Sequence, residues 1–281
     1  MIARRSVLAG MAATMGVATL GSRALAQSLE PAVELKPELA TAFSEIGTEG
    51  VFAALDRKRN VLVMTDETRA RRGLLPASTY KIPHAVIALE TGVVSDVDSE
   101  TIRWDGIVRE FPEWNRDHTL RSAMRYSVVP VFQQIATRIG EERMHKFVDA
   151  FHYGNRDIGG APLDQFWLEG NLRITPLQQL EFLARFYDGK LVGVSDRSIQ
   201  LVRDIIPTEQ SDGATIHAKT GTIGTDGPQG KVASTGWLVG YVDGGDALPT
   251  FFAMNLDIHA PRHMAQRMPI VMAMLQKIGV A

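Results

Sequence analysis

Cysteine is absent from the 281-residue chain. That removes thiol nucleophiles, disulfide frameworks and cysteine-bound zinc together. Charge of either sign is never concentrated: 30 Lys and Arg face 32 Asp and Glu, a formal net charge of −2. No basic block suits nucleic acid, and Asp56-Arg57-Lys58-Arg59 is only a charged turn. The seven histidines form no H-x-H-x-D pattern, which argues against a zinc hydrolase. His259 and His263 stand four apart, but without a third ligand at a recognised spacing they read as a solvated pair, and no metal is expected. Repeats and low-complexity segments are missing too. With 45% hydrophobic residues the chain can bury a real core, as one large domain or as two lobes.

The one long apolar run stands at the start. Met1-Ile2-Ala3-Arg4-Arg5 is a positive n-region, Val7 to Leu20 is apolar with small residues, and Ala24-Leu25-Ala26 offers a cleavage site before Gln27. The run is short for a membrane span. Residues 1–26 therefore read as a signal peptide cut after Ala26, which leaves a mildly acidic periplasmic protein with no stable membrane insertion. Two arginines suit either the general or the twin-arginine route.

Further on, Val51 to Leu55 and Val61 to Met64 read as two strands of an antiparallel hairpin. A helix is expected from Ser78 to about Glu90, with Pro83 tolerated in its first turns. From Ser95 to about Pro207 the texture is helical, with helices at Thr119–Met124, Pro130–Ile139 and Glu141–Phe151, and one capped by Thr175 with Pro176 at its first position. Residues 152–170 read as an ordered loop. Trp104 and Trp114 read as packing groups of this helical part. Strands return at Thr215–Lys219, Ser234–Val242 and Thr250–Ile258, joined by glycine-rich turns, before a last helix from Pro261 to Ile278. Trp237 to Val242 is apolar on both alternating faces, as a central strand covered on both sides would be. The fold class is α/β in the α+β sense: an antiparallel sheet flanked by helices, built from residues 27–94 and 208–281, with an all-helical lobe inserted at 95–207. A cleft at the lobe junction is the default site.

The stretch that carries chemistry is Pro76-Ala77-Ser78-Thr79-Tyr80-Lys81-Ile82-Pro83-His84. A hydroxyl and an amine three residues apart share one face of a helix. A serine becomes a nucleophile when a neighbouring base takes its proton, and a lysine can be that base when its pKa is depressed. Leu74, Leu75, Ile82, Val86 and Ile87 supply apolar surroundings. Read alone, the stretch could equally be an ordinary polar helix start. Three further segments accompany it: Ser127-Val128-Val129, Tyr153-Gly154-Asn155 and Lys219-Thr220-Gly221. A second hydroxyl and a second lysine from separate elements would supply a leaving-group proton donor and an anion anchor.

In this order, together with Phe166-Trp167-Leu168-Glu169-Gly170, these motifs resemble those of the class D serine β-lactamases (oxacillinases) among the penicillin-recognising serine enzymes. The resemblance spans essentially the whole mature chain and implies a penicillin-binding-protein/β-lactamase-like fold. It implies that Ser78 attacks the lactam carbonyl of a small-molecule β-lactam and carries the acyl group. Lys81 would be N6-carboxylysine, formed with carbon dioxide or bicarbonate and no other cofactor, and would act as general base in both steps. Trp167 would donate its indole N–H to the carbamate, under an apolar lid of Val129 and Leu168. Ser127 would protonate the leaving nitrogen with support from Lys219. The backbone N–H groups of Ser78 and Thr222 would form the oxyanion hole, and Thr220, Gly221 and Arg267 would bind substrate. Read on its own, Arg267 could also be a surface arginine near a helix start. Tyr153 and Asn155 read as structural. Many relatives carry an aromatic residue where this chain has Thr222, and the glycine-rich loop to Lys231 is longer here, so no substrate preference transfers. Two rivals stay open, a β-lactam sensor that keeps its acyl group and a peptidoglycan D,D-peptidase.

Overall fold

A seven-stranded sheet drawn from two distant parts of the chain is the frame on which the other elements sit. The computed structural model describes residues 30–211, 213–227, 230–243 and 248–280. The leader read at residues 1–26 lies outside them, and Pro31–Ala281 form one unit. The strands are β1 (Ala32–Leu35), β2 (Gly50–Asp56), β3 (Val61–Met64), β4 (Thr208–Ser211), β5 (Ala214–Gly227), β6 (Gly230–Asp243) and β7 (Thr250–Asp257), in the spatial order β1-β3-β2-β7-β6-β5-β4. Among the described residues only β1 and β3 pair in parallel, and the other strand pairings are antiparallel.

Helices fill the chain between β3 and β4. They are preceded by α1 (Thr41–Ser44) and comprise α2 (Glu67–Ala70), α3 (Lys81–Glu90), α4 (Leu120–Arg125), α5 (Val129–Ile139), α6 (Glu141–Ala150), α7 (Pro176–Tyr187) and α8 (Asp196–Ile205). After β7 come α9 (Pro261–Ala265) and α10 (Arg267–Lys277). Helix α7 starts where the sequence places it: Thr175 accepts from Gln178 N–H while the Gln178 side chain returns the bond, with Pro176 just inside. Although it falls in the helical stretch, α7 packs across β2 and β7.

Alternation along the strands splits the core into two layers. Val51, Ala53, Trp237, Val239, Tyr241, Phe251 and Ala253 face one layer with α3, α5, α7 and α8. Phe52, Ala54, Leu238, Val242, Phe252, Met254 and Leu256 face the other with α10. Each fully buried Leu, Val, Phe or Met contributes about 1.5–3 kcal/mol relative to exposure. The expectation for β6 is met: it lies between β7 and β5, and Trp237–Val242 are buried on both faces.

Four local readings change. Ser78 sits in a 3-10 turn, Ala77–Tyr80, and the α-helix begins only at Lys81. The glycine-rich turn expected from Thr222 is extended instead: β5 runs to Gly227 and pairs with β6 as far as Gly230, with a register shift at Ile223/Gly224 that absorbs the extra residue. Cross-strand pairing there outweighs the weak strand preference of glycine. The last helix is broken at Gln266 into α9 and α10. His263 is no solvated residue; it is buried, accepts from the His259 N–H at 3.1 Å and bonds Ile46 O at 3.2 Å.

Candidate active site

The 3-10 turn carrying Ser78 is held from both sides. Ala77 has a φ of 48°, a left-handed value that non-glycine residues rarely adopt, and its N–H donates to Trp167 O at 3.0 Å. From below, the Trp237 indole of β6 donates to Leu75 O at 3.0 Å. Ser78 stays half-buried, within reach of solvent, while Lys81 is fully buried. Their separation of three residues brings Lys81 Nζ to 2.8 Å from Ser78 Oγ. Burial, and secondarily the charge of Lys219, hold the Lys81 amine well below the ordinary lysine range. A neutral amine, able to accept a proton, is thereby favoured.

Opposite stands a second hydroxyl–lysine pair. Ser127, in the link from α4 to α5, also has a left-handed φ, 54°, and its Oγ accepts from Lys219 Nζ at 3.0 Å. Lys219 also donates to Thr220 O at 3.0 Å. Burial, then the nearby Arg267 charge, lower the Lys219 amine to about 7. Gly221 follows with little room to spare: a Cβ there would lie 3.1 Å from Pro76 O and 3.1 Å from Thr79 Cγ2, so its neighbours would have to give way. This close approach sets β5 against the Ser78 turn.

The β4–β5 pairing runs from Ser211 opposite Ala214 to Thr208 opposite His217, and Ala218 N–H closes the ladder on Pro207 O at 2.9 Å. Beyond that point β5 has no strand on this edge among the described residues. Backbone groups alternate sides along a strand, so with Ala218 facing this edge, the N–H groups of Thr220 and Thr222 face it as well. A cavity of about 200 Å³ lies beside Lys219 and Thr220, lined also by Arg125, Pro207, Thr208 and Met268.

Aromatic rings enclose the inner end of the Ser78–Lys81 pair. Lys81 Nζ lies 5.1 Å from the Phe132 ring centre, and Trp167 stacks on Tyr80 with centroids 5.8 Å apart. Trp167 is wholly buried, and its indole N–H has no hydrogen-bond partner among the described residues. Leu168, half-buried, packs on the same core, and half-buried Val129 is the first residue of α5. Tyr153 packs edge-on against Tyr80 and Phe182, and Asn155 bonds Asn171 O and the Arg173 N–H, so the Y-G-N segment fastens its loop.

Arg267 reaches the site from the start of α10. Its Nη1 donates to Gly221 O at 2.8 Å and Thr222 Oγ1 at 3.2 Å, and Nε donates to Met264 O at 2.9 Å. Gly236 lets it pass, since a Cβ there would lie 3.2 Å from Arg267 Cδ. Burial lowers the guanidinium to about 10. This is an arginine built into the edge of the site, not a surface residue.

The family model of the penicillin binding protein transpeptidase domain matches residues 50–276. The chain is similar to beta-lactamase OXA-48 of Klebsiella pneumoniae, at 41% identity over 235 residues, 84% of this chain and 85% of that one. It also resembles regulatory protein BlaR1 of Bacillus licheniformis, at 32% identity over 86% of this chain but only 39% of that protein. The crystal structure of the class D beta-lactamase YbXI from Nostoc matches with a TM-score of 0.80 and 38% identity, covering 88% of this chain and 100% of that one. The chain belongs to the class D β-lactamases.

The structure of this class D β-lactamase brings Ser78, Lys81, Ser127, Lys219, Thr220, Gly221, Thr222 and Arg267 to one cleft edge, with Trp167 behind Ser78. Sequence reasoning passed over one buried polar residue, His84. It lies one turn beyond Lys81 on α3 and is wholly buried, with ring centroids 5.1 Å from Trp167 and 5.3 Å from Phe132. A histidine inside Ile82-Pro83-His84-Ala85-Val86 gives no sequence signal beyond that of an interrupted apolar helix.

Proposed function

We propose that this chain hydrolyses β-lactams, penicillins among them, through an acyl-enzyme on Ser78, with Lys81 acting as general base in its N-carboxylated form. The observation that carries the reading is a buried amine, held well below the ordinary lysine range, 2.8 Å from a reachable serine hydroxyl. Ser78 Oγ gives up its proton and bonds the lactam carbonyl carbon. The C–N bond then breaks, and Ser127 passes a proton to the departing nitrogen. Lys219, near 7 and bonded to Ser127, is suited to resupply that proton at neutral pH. Water attacks the acyl carbon next, the ester C–O bond breaks, and Ser78 regains its proton.

A neutral lysine amine adds carbon dioxide by forming an N–C bond, moving one π pair onto oxygen and releasing an N–H proton. The carbamate so held supplies an anionic oxygen base that is not consumed by acylation. The residues present fit such a group: the Trp167 N–H is a buried donor with no acceptor among the described residues, and burial of Lys81 favours the neutral amine from which the carbamate forms. The N–H groups of Ser78 and Thr222 would hold the carbonyl oxygen. The Arg267 charge is a secondary cause that lowers the Lys219 amine, a repulsion that a substrate carboxylate at Thr220 and Gly221 would relieve. Export to the periplasm, with cleavage after Ala26, rests on residues 1–26 alone.

Likeness to a regulatory protein keeps a β-lactam sensor as the competing reading. Purified protein is expected to turn over a chromogenic cephalosporin many times. A slowly released penicillin is expected to add one drug mass to the peptide holding Ser78, and Ser78→Ala to abolish both adduct and turnover. One equivalent of product followed by silence, with or without bicarbonate, would assign a sensor instead.

A further inference from the structure

Three buried histidines of this chain are treated differently by their surroundings. His118 places its Nδ1 2.9 Å from Ser122 Oγ and its Nε2 2.7 Å from Glu113 O. His263 has both ring nitrogens engaged as well. Neither nitrogen of His84 has a hydrogen-bond partner among the described residues, and the ring is wholly buried. Buried polar atoms are nearly always paired, because an unpaired one forfeits its hydration with nothing in return. A phenylalanine would meet Tyr80, Phe132 and Trp167 equally well, so packing does not explain an imidazole here. The Trp167 indole N–H, whose ring also packs on His84, is likewise unpaired among the described residues. Both rings adjoin the helix turn of Lys81, and His84 and Lys81 Nζ share contact with Phe132.

We propose that His84 is a positioning residue for Lys81, its ring N–H serving beside the Trp167 indole as a second donor to the carbamate carried there. The inference rests on the carboxylation of Lys81 proposed above. Burial is the main cause that holds His84 low, at about 3, and a neutral ring keeps one N–H to give and one nitrogen to accept. Two donors on one anion hold it more firmly than one.

The test uses the purified chain in ¹³C-labelled bicarbonate and reads the carbamate carbon by NMR as bicarbonate is titrated. His84→Phe, which keeps a ring and loses both polar atoms, is expected to need about tenfold more bicarbonate for half-maximal signal. The bicarbonate needed for half-maximal turnover should move in parallel, with KM for the β-lactam unchanged. His84→Asn, which restores an N–H donor, should recover most of the shift. Melting curves of both variants check that the comparison is between folded proteins. A His84→Phe protein that is folded and carboxylates at the wild-type midpoint overturns the role of His84 alone. A wild-type protein with no carbamate signal at any bicarbonate concentration overturns the carboxylysine reading, and the role of His84 with it.

Discussion

The two faces of the sheet are made from alternate residues of the same strands, yet they are finished to different standards. On the α10 face the clustered side chains are apolar throughout, from Phe52 and Leu238 to Met274 and Leu275. On the face covered by α3, α5 and α7 an equally dry core encloses Lys81, His84 and an unpaired indole N–H. One buried histidine near α10, His263, is fully bonded, whereas the buried histidine on α3 has no hydrogen-bond partner among the described residues. The difference teaches where function sits. Among the described residues, the buried polar atoms without a hydrogen-bond partner gather in the layer covered by α3, at His84 and Trp167 beside the site and also at Tyr153 and Tyr241, where packing holds them.

That contrast can be broken most strongly on the α10 face. Leu275→Ala removes a wholly buried side chain from α10 and is expected to cost about 2–5 kcal/mol of unfolding free energy. Activity per folded molecule should be unchanged, because Leu275 lies two turns beyond Arg267 on α10. Urea unfolding together with active-site titration checks both parts. A fall in turnover at full active-site occupancy would mean that the two layers are not independent.

A smaller effect, but on chemistry, is expected on the other face. Trp167→Phe keeps the ring and removes the buried donor. Loss of one hydrogen bond to a buried charge costs about 1.5–3 kcal/mol, or roughly ten- to a hundred-fold in carbamate occupancy. Acyl-enzyme should accumulate, and high bicarbonate should restore part of the turnover by mass action. Stopped-flow and mass spectrometry distinguish this outcome from a slowed acylation, which would place the indole elsewhere in the mechanism.

The finest comparison concerns the pH dependence that a buried lysine brings. Lys219 titrates near 7 in the fold against an ordinary 10.5. Between those values it is charged in the unfolded chain and neutral in the folded one, so the unfolded chain binds more protons. The wild-type fold should therefore gain stability as pH rises from about 7 to about 10, by at most about 1.4 kcal/mol per unit. Lys219→Met lacks this contribution, and the wild-type-minus-variant difference in unfolding free energy should grow in favour of wild type across that window. A difference that stays flat would show that the amine remains charged when buried.

Much of this protein was settled by local sequence. The alternation in β2 and β6, the Thr175-Pro176 helix start and the three-residue spacing of Ser78 and Lys81 are short-range facts, because backbone periodicity and capping act within a few residues. The ordered motifs carried the family as well, and with it the expectation for Trp167. The tertiary structure alone decided the rest. Short exposed β1 and β4 have no apolar pattern to announce them and exist because a neighbour offers its ladder. Arg267 becomes part of the site only when Gly236 lets it cross to β5. His84 reads as an ordinary helix residue until Trp167 and Phe132, far off in sequence, enclose it without offering a partner. Whether a polar group is satisfied depends on what long-range packing sets beside it, and no local pattern records that.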